Sequence, residues 1–201
     1  MATGDANQQR HSLEEEETED IVRDFIGGWN ERQQNDPNLR NIVCPTNENR
    51  VNEVSRRLLT IATQVNSEYA NEFTTMIEEL NITKRYAYDT FEKVAKRLFK
   101  DGNYDVARMI ALLLFGYNIA IRYFKDGARD FIENVITFIV KFIIRNIWNS
   151  VKAVGGWIKY VGDSSNTSLS IPSWHDYKVH AAVLVVAALG ACVIYRHYKS
   201  K

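Results

Sequence analysis

Val54, Leu58, Ile61 and Val65 stand at i, i+4, i+7 and i+11. At helical spacing they form one apolar ridge, the pattern by which an amphipathic helix seats itself in an apolar groove. The chemistry on offer is non-covalent recognition of one helix by another. The same ridge serves any helix that packs into its own core, and spacing alone does not separate the two uses. Covalent chemistry has no comparable candidates. The four histidines, His11, His175, His180 and His197, lie toward the ends of the chain, and none has metal-ligand spacing with Cys, Asp or Glu. No phosphate-binding glycine loop and no nucleophile motif occurs. Carboxylates gather in Glu14–Asp24, where a solvated helix start explains them. The expectation is a binding protein and not an enzyme, with no metal site and no cofactor.

The elements around the ridge read as helices throughout. Residues 1–11 are polar and expected to be disordered. Ser12 is a candidate N-cap, after which Ile21, Val22, Phe25, Ile26 and Trp29 recur at helical spacing to about Gln34. Residues 35–49 hold two of the three prolines and most of the turn formers, and read as a linker. A second helix starts near Val51 and carries the ridge toward Tyr69 and Phe73. Asn81-Ile82-Thr83 breaks the pattern. Lys84–Phe99 is amphipathic again, with Tyr88, Phe91, Val94, Ala95 and Leu98 on one side, and Asp101-Gly102-Asn103 is a turn. Met109–Ile121 has no charge on any face, which places it in a membrane or at the centre of a globule. After a turn at Asp126-Gly127, Phe131–Trp148 continues with few charges, so the two segments predict a buried helical hairpin. Gly155-Gly156 ends one short helix and Trp157 starts another. No strand-like alternation occurs, so the fold class is all-α, a helical bundle of six to eight helices around a central apolar hairpin.

Ala181–Tyr195 carries no charge; Lys178 precedes it, and Arg196, His197, Lys199 and Lys201 follow. Taken from residue 179 to 195 it is about 17 residues, near the short limit for a bilayer-spanning helix. It reads as a transmembrane tail anchor within residues 177–201, behind a Gly/Ser/Asn/Pro linker at 162–176, with the helical domain at 12–161. The net formal charge is zero, so no global field favours nucleic acid. Cys44 and Cys192 are the two cysteines, and one lies in the apolar tail, which fits a reducing compartment better than a disulfide framework. The N-terminal segment has no apolar core of the kind a secretory signal needs.

The blocks around the ridge are more specific than the ridge. Val54–Phe73, VSRRLLTIATQVNSEYANEF, resembles the third homology region of the Bcl-2 family of apoptosis regulators. Phe91–Gly102, FEKVAKRLFKDG, with Ala107–Tyr117, ARMIALLLFGY, resembles the first homology region, and Val154–Val161, VGGWIKYV, the end of the second. With the apolar hairpin and the tail, the resemblance covers about residues 13–198. The third region, the hairpin and GGW resemble the Bak-like branch, while Phe91–Gly102 is equally similar to the Bcl-xL-like branch.

The resemblance implies a Bcl-2-like bundle with an apolar groove for the third-region helix of a pro-apoptotic relative. Its lining here would be Val65, Tyr69, Phe73, Met76, Val94, Leu98, Ala111 and Phe115. Arg108 would pair with the ligand's aspartate. The chain's own third-region motif would be Val54, Leu58, Ile61, Ala62, Thr63 and Val65. It departs from the family at Thr63, where an aspartate is usual. Asn103–Arg108 also replaces Asn-Trp-Gly-Arg with one extra residue, and Ser150 stands at the second region's leading tryptophan position. Two functions follow. One is a pro-survival module that captures such helices, favoured by Thr63; the other is a Bak-like effector that oligomerises and permeabilises the outer membrane. The implied location is the mitochondrial outer membrane, facing the cytosol, with the endoplasmic reticulum or partial cytosolic residence left open. A homo- or heterodimer is allowed.

Overall fold

The computed structural model describes residues 3–35, 37–39, 43, 48–79, 87–124 and 129–162. The expected linker beyond Gly162 and the tail at 177–201 lie outside these residues. Every element among the described residues is helical: α1 Thr3–Arg32, α2 Glu48–Glu79, α3 Ala87–Leu98, α4 Val106–Phe124, α5 Arg129–Phe142, α6 Trp148–Val154 and α7 Trp157–Val161. A 3-10 turn at Pro37–Leu39 follows α1, and a widened π turn at Ile143–Ile147 joins α5 to α6. The described chain divides into two compact units. One uses residues up to Leu59 and again from Phe124 to Gly162; the other uses Thr60–Tyr123.

In the first unit α1 packs along α5. Ile21, Val22, Phe25, Ile26 and Trp29, the positions singled out by periodicity, are all buried. The helix begins at Thr3, so residues 3–11 are helical where irregular chain was expected, and Ser12 lies inside the helix. Extending a helix already nucleated and packed costs little per residue, and Ala, Gln, Arg and Glu are good helix formers. Arg23 ties the two helices together. Its guanidinium donates to both oxygens of Glu133 on α5, at 3.1 and 2.6 Å, and its Nε donates to Glu19 one turn back, at 2.8 Å. The bond to Glu133 holds the guanidinium protonated well beyond its already high norm, against the opposing pull of partial burial.

The start of α2 joins the same unit through hydrogen bonds from side chains to backbone carbonyls. Ser55 Oγ donates to the carbonyl of Ile21 at 3.4 Å, and Arg32 donates to the carbonyl of Leu59 at 2.6 Å. Gly28 lies against Leu59: a Cβ there would stand 2.7 Å from Leu59 Cδ1, so a larger residue would have to push that side chain aside. At the π turn the Asn146 amide donates to the Phe142 carbonyl at 2.8 Å, satisfying an acceptor near the disturbed ladder. Gly155, at φ +97, closes α6 with its N–H on the Lys152 carbonyl.

In the second unit α4 supplies the core. Met109 through Tyr117 are buried without interruption among the side-chain positions, the outcome expected of a helix apolar on every face at the centre of a globule. By length and composition this helix could also cross a membrane, but most of it is covered by protein. Phe91 of α3 stacks on Phe115 of α4, ring centroids 5.7 Å apart.

Candidate functional site

The site begins with α2, which departs from helical geometry at Tyr69 (φ −127°, ψ 16°). Before this kink lies the ridge. Val54, Leu58, Ala62 and Val65 are buried, Ile61 is partly covered, and Thr63 is exposed. Thr63 faces outward because it is one residue, about 100°, off the buried line through Ala62. The ridge serves as core in this state of the chain, and the position that lacks a carboxylate faces water.

The residues expected to line a groove all fall within the second unit, on the later part of α2, on α3 and on α4. Val65, Phe73, Val94, Leu98, Ala111 and Phe115 are each buried, with Phe115 fully so and stacked on Phe91. Tyr69, at the kink, is partly covered. Met76 falls on α2, but its side chain lies outside the description. These six side chains are core and not the walls of an open cleft. An incoming helix reaches them only if the elements that cover them move.

Arg108 is built differently. It sits in the first turn of α4, whose N-terminus is capped by Asp105: the Asp105 carboxylate accepts the Arg108 backbone N–H at 2.8 Å. The guanidinium then turns back over the end of α3. Nη1 donates to the Leu98 carbonyl at 3.0 Å and to the Asn103 carbonyl at 3.3 Å. Both Nη groups grip the Asp101 carboxylate, Nη2 at 2.8 Å, in a bidentate pair. The turn that presents Asp101 needs glycine at 102, where φ is +73°. Hydrogen bonding to Arg108, helped by the Asn103 N–H, holds the Asp101 carboxyl down to about 2. In return Asp101, and more weakly Asp105, hold Arg108 more firmly protonated.

The burial of the two partners is unequal. The Arg108 side chain is 14% exposed, while that of Asp101 is 58% exposed. The arginine is fixed and its carboxylate partner is loosely solvated. A second carboxylate arriving from solvent could share the guanidinium with Asp101, whose own side chain faces water. Arg108 was expected to pair with a ligand's aspartate, while Asp101 and Asp105 had no expected role at the site. Asp101 was read as a turn former, and an aspartate three residues before an arginine at a helix start was the signal for the cap. Among the described residues no cluster of His, Cys, Asp or Glu could hold a metal ion.

Comparison with known proteins adds the lineage of this arrangement. A family model described as apoptosis regulator proteins, Bcl-2 family, matches residues 58–157, the stretch from Leu58 to Trp157. The Bcl-2 homologous antagonist/killer of Homo sapiens is 28% identical over 196 residues, 92% of this chain and 87% of that protein. Apoptosis regulator Bcl-2 of Gallus gallus is 26% identical over 128 residues, 62% of this chain but 53% of that protein. Among solved structures, Trichoplax adhaerens trBcl-2L2 bound to trBak BH3 superposes with a TM-score of 0.60 at 24% identity, covering 70% of this chain and 92% of that one. Chicken BOK gives 0.58 at 18% identity, covering 73% and 94%. At such identities the two structures establish the fold alone.

Proposed function

The chain belongs to the Bcl-2 family of apoptosis regulators, and from that membership we propose that it acts as a receiver of helices. In this reading the second unit takes up the amphipathic third-region helix of a pro-apoptotic relative and thereby restrains cell death. Binding opens the core of the unit by hinging α2 at Tyr69 away from α3, which exposes Val65, Phe73, Val94, Leu98, Ala111 and Phe115 to the ligand's apolar ridge. The ligand's aspartate then meets Arg108, already oriented by Leu98, Asn103 and Asp101. Ordering costs are set against pocket burial, each ligand side chain contributing about 1.5–3 kcal/mol before those costs. A tail anchor at 177–201 would hold the protein on the mitochondrial outer membrane, facing the cytosol.

The observation that carries the receiving role is Thr63. A chain that donates its third region needs a carboxylate at this exposed position, and a chain that receives one does not. A second reading has its own support. The similarity to human Bcl-2 homologous antagonist/killer runs through 92% of this chain, which favours an effector that turns its own α2 outward, pairs with a copy of itself and permeabilises the membrane. The deciding experiment is expression in cells that lack their own effectors, and in normal cells under a death stimulus. Protection of the normal cells without cytochrome c release in the deficient ones supports the receiver. Cytochrome c release in the deficient cells overturns it and establishes the effector.

A further inference from the structure

We propose that the outward face of α5, together with the corner where α6 meets α7, is a docking surface for an anionic lipid bilayer. The charge pattern is one-sided. Between Glu133 and Asp163 there is no acidic residue, while Lys141, Arg145, Lys152 and Lys159 all lie there and are all exposed. None of the four forms a salt bridge with a described residue. Exposed positions recur at Asn134, Thr137, Lys141, Arg145, Asn149 and Lys152. That spacing of three to four residues makes one continuous stripe, and from Lys141 onward its charges are cationic only.

The stripe ends on apolar surface. Val154 and Ile158 are 48% and 43% exposed, two of the three large apolar side chains most open to water among the described residues. The Gly155 turn brings them to one corner. The Lys159 stem lies over Gly155, 3.2 Å from where a Cβ would be, so the chain folds back tightly between Val154 and Ile158. Beneath them Trp148 and Trp157 pack at 6.0 Å, with the Lys152 ammonium 5.9 Å from the Trp148 ring. Both rings are more than nine-tenths buried, and neither indole N–H has a hydrogen-bond acceptor.

Spread cations over an isolated apolar pair suit a diffuse anionic plane better than a discrete acidic pocket. Each cation brought to such a surface favours binding by about fivefold, so the four together favour it by nearly three orders of magnitude, about 600-fold. The corner is also within reach of a membrane. About 14 residues separate Gly162 from the expected anchor, and a chain of that length spans at most ~50 Å.

The test uses the full chain with Cys44→Ser, Cys192→Ser and Ile158→Cys, labelled at residue 158 with an environment-sensitive fluorophore. It is added to vesicles of phosphatidylcholine alone or of phosphatidylcholine with phosphatidylserine. The expected result is a blue-shifted, brighter emission on the anionic vesicles only, reversed by added salt. Combined Lys141→Gln, Arg145→Gln, Lys152→Gln and Lys159→Gln removes the shift, and Lys→Arg at 141, 152 and 159 preserves it. Cations flanking the tail are the same in every variant, so the difference belongs to the stripe. A probe that stays water-like on both vesicles, as it would if the patch received an acidic protein, overturns the proposal. So does an undiminished shift in the neutralised variant.

Discussion

Replacing Leu58 by alanine asks directly whether the ridge is core or a detachable motif. Leu58 is fully buried, and truncating such a leucine costs about 2–5 kcal/mol through lost transfer energy and the cavity left behind. The same burial sets the cost of turning the helix outward. Val54, Leu58 and Val65 are buried to within a few per cent, and exposing each costs about 1.5–3 kcal/mol, or about 5–9 kcal/mol in sum. That is an upper figure, since the unfolded chain already covers some apolar surface. A whole domain is stable by about 5–15 kcal/mol. Donation of α2 therefore demands an opening comparable to unfolding, and an agent that drives it. Urea unfolding followed by circular dichroism, wild type beside variant, measures the first number. Thr63→Asp serves as the control and should change stability by less than about 0.5 kcal/mol, because the site is exposed. A Leu58→Ala loss under about 1 kcal/mol refutes the reasoning, for it would mean that the ridge is free to leave at little cost.

Four further outcomes are expected. Arg108→Ala should weaken binding of an aspartate-bearing third-region peptide by about 1–3 kcal/mol in calorimetry, and leave an alanine-substituted peptide unaffected. The Asp101 carboxyl, followed by NMR, should titrate near 2 and return to the ordinary carboxylate range in Arg108→Ala. Its folded value lies below its unfolded one, so the stabilisation it brings is complete above about pH 4 and is lost as pH falls through about 2. A peptide of residues 51–73 should bind a family groove poorly and its Thr63→Asp version at least about tenfold more tightly; tight binding by the unmodified peptide removes the main support for a receiving role. Deleting residues 177–201 should give a folded chain that no longer sediments with mitochondria washed in high salt, and sedimentation that survives the wash would exclude the tail as the anchor.

The all-α class, the positions of the helices and the buried faces of α1, α3 and α4 were legible in the chain, because hydrophobic periodicity is a local property that each helix carries by itself. The glycines at 102 and 155 were legible as turns for the same reason. Arg108 was visible only through the resemblance of Phe91–Gly102 and Ala107–Tyr117 to family blocks, since a single arginine has no period.

Tertiary structure decided the rest. Arg23 and Glu133 lie 110 positions apart, and no local pattern pairs them. The start of α1 at Thr3 lies beyond the expected cap because a helix already nucleated downstream extends at little cost per residue. Asp101 looked like an ordinary turn aspartate until the geometry of the α3–α4 turn aimed it at Arg108. Above all, the ridge of Val54, Leu58 and Val65 is the same in sequence whether it is buried or offered to a partner. Its periodicity specifies only that one face avoids water. Which surface covers that face depends on contacts with residues distant in the chain, and those exist only once the helices have packed.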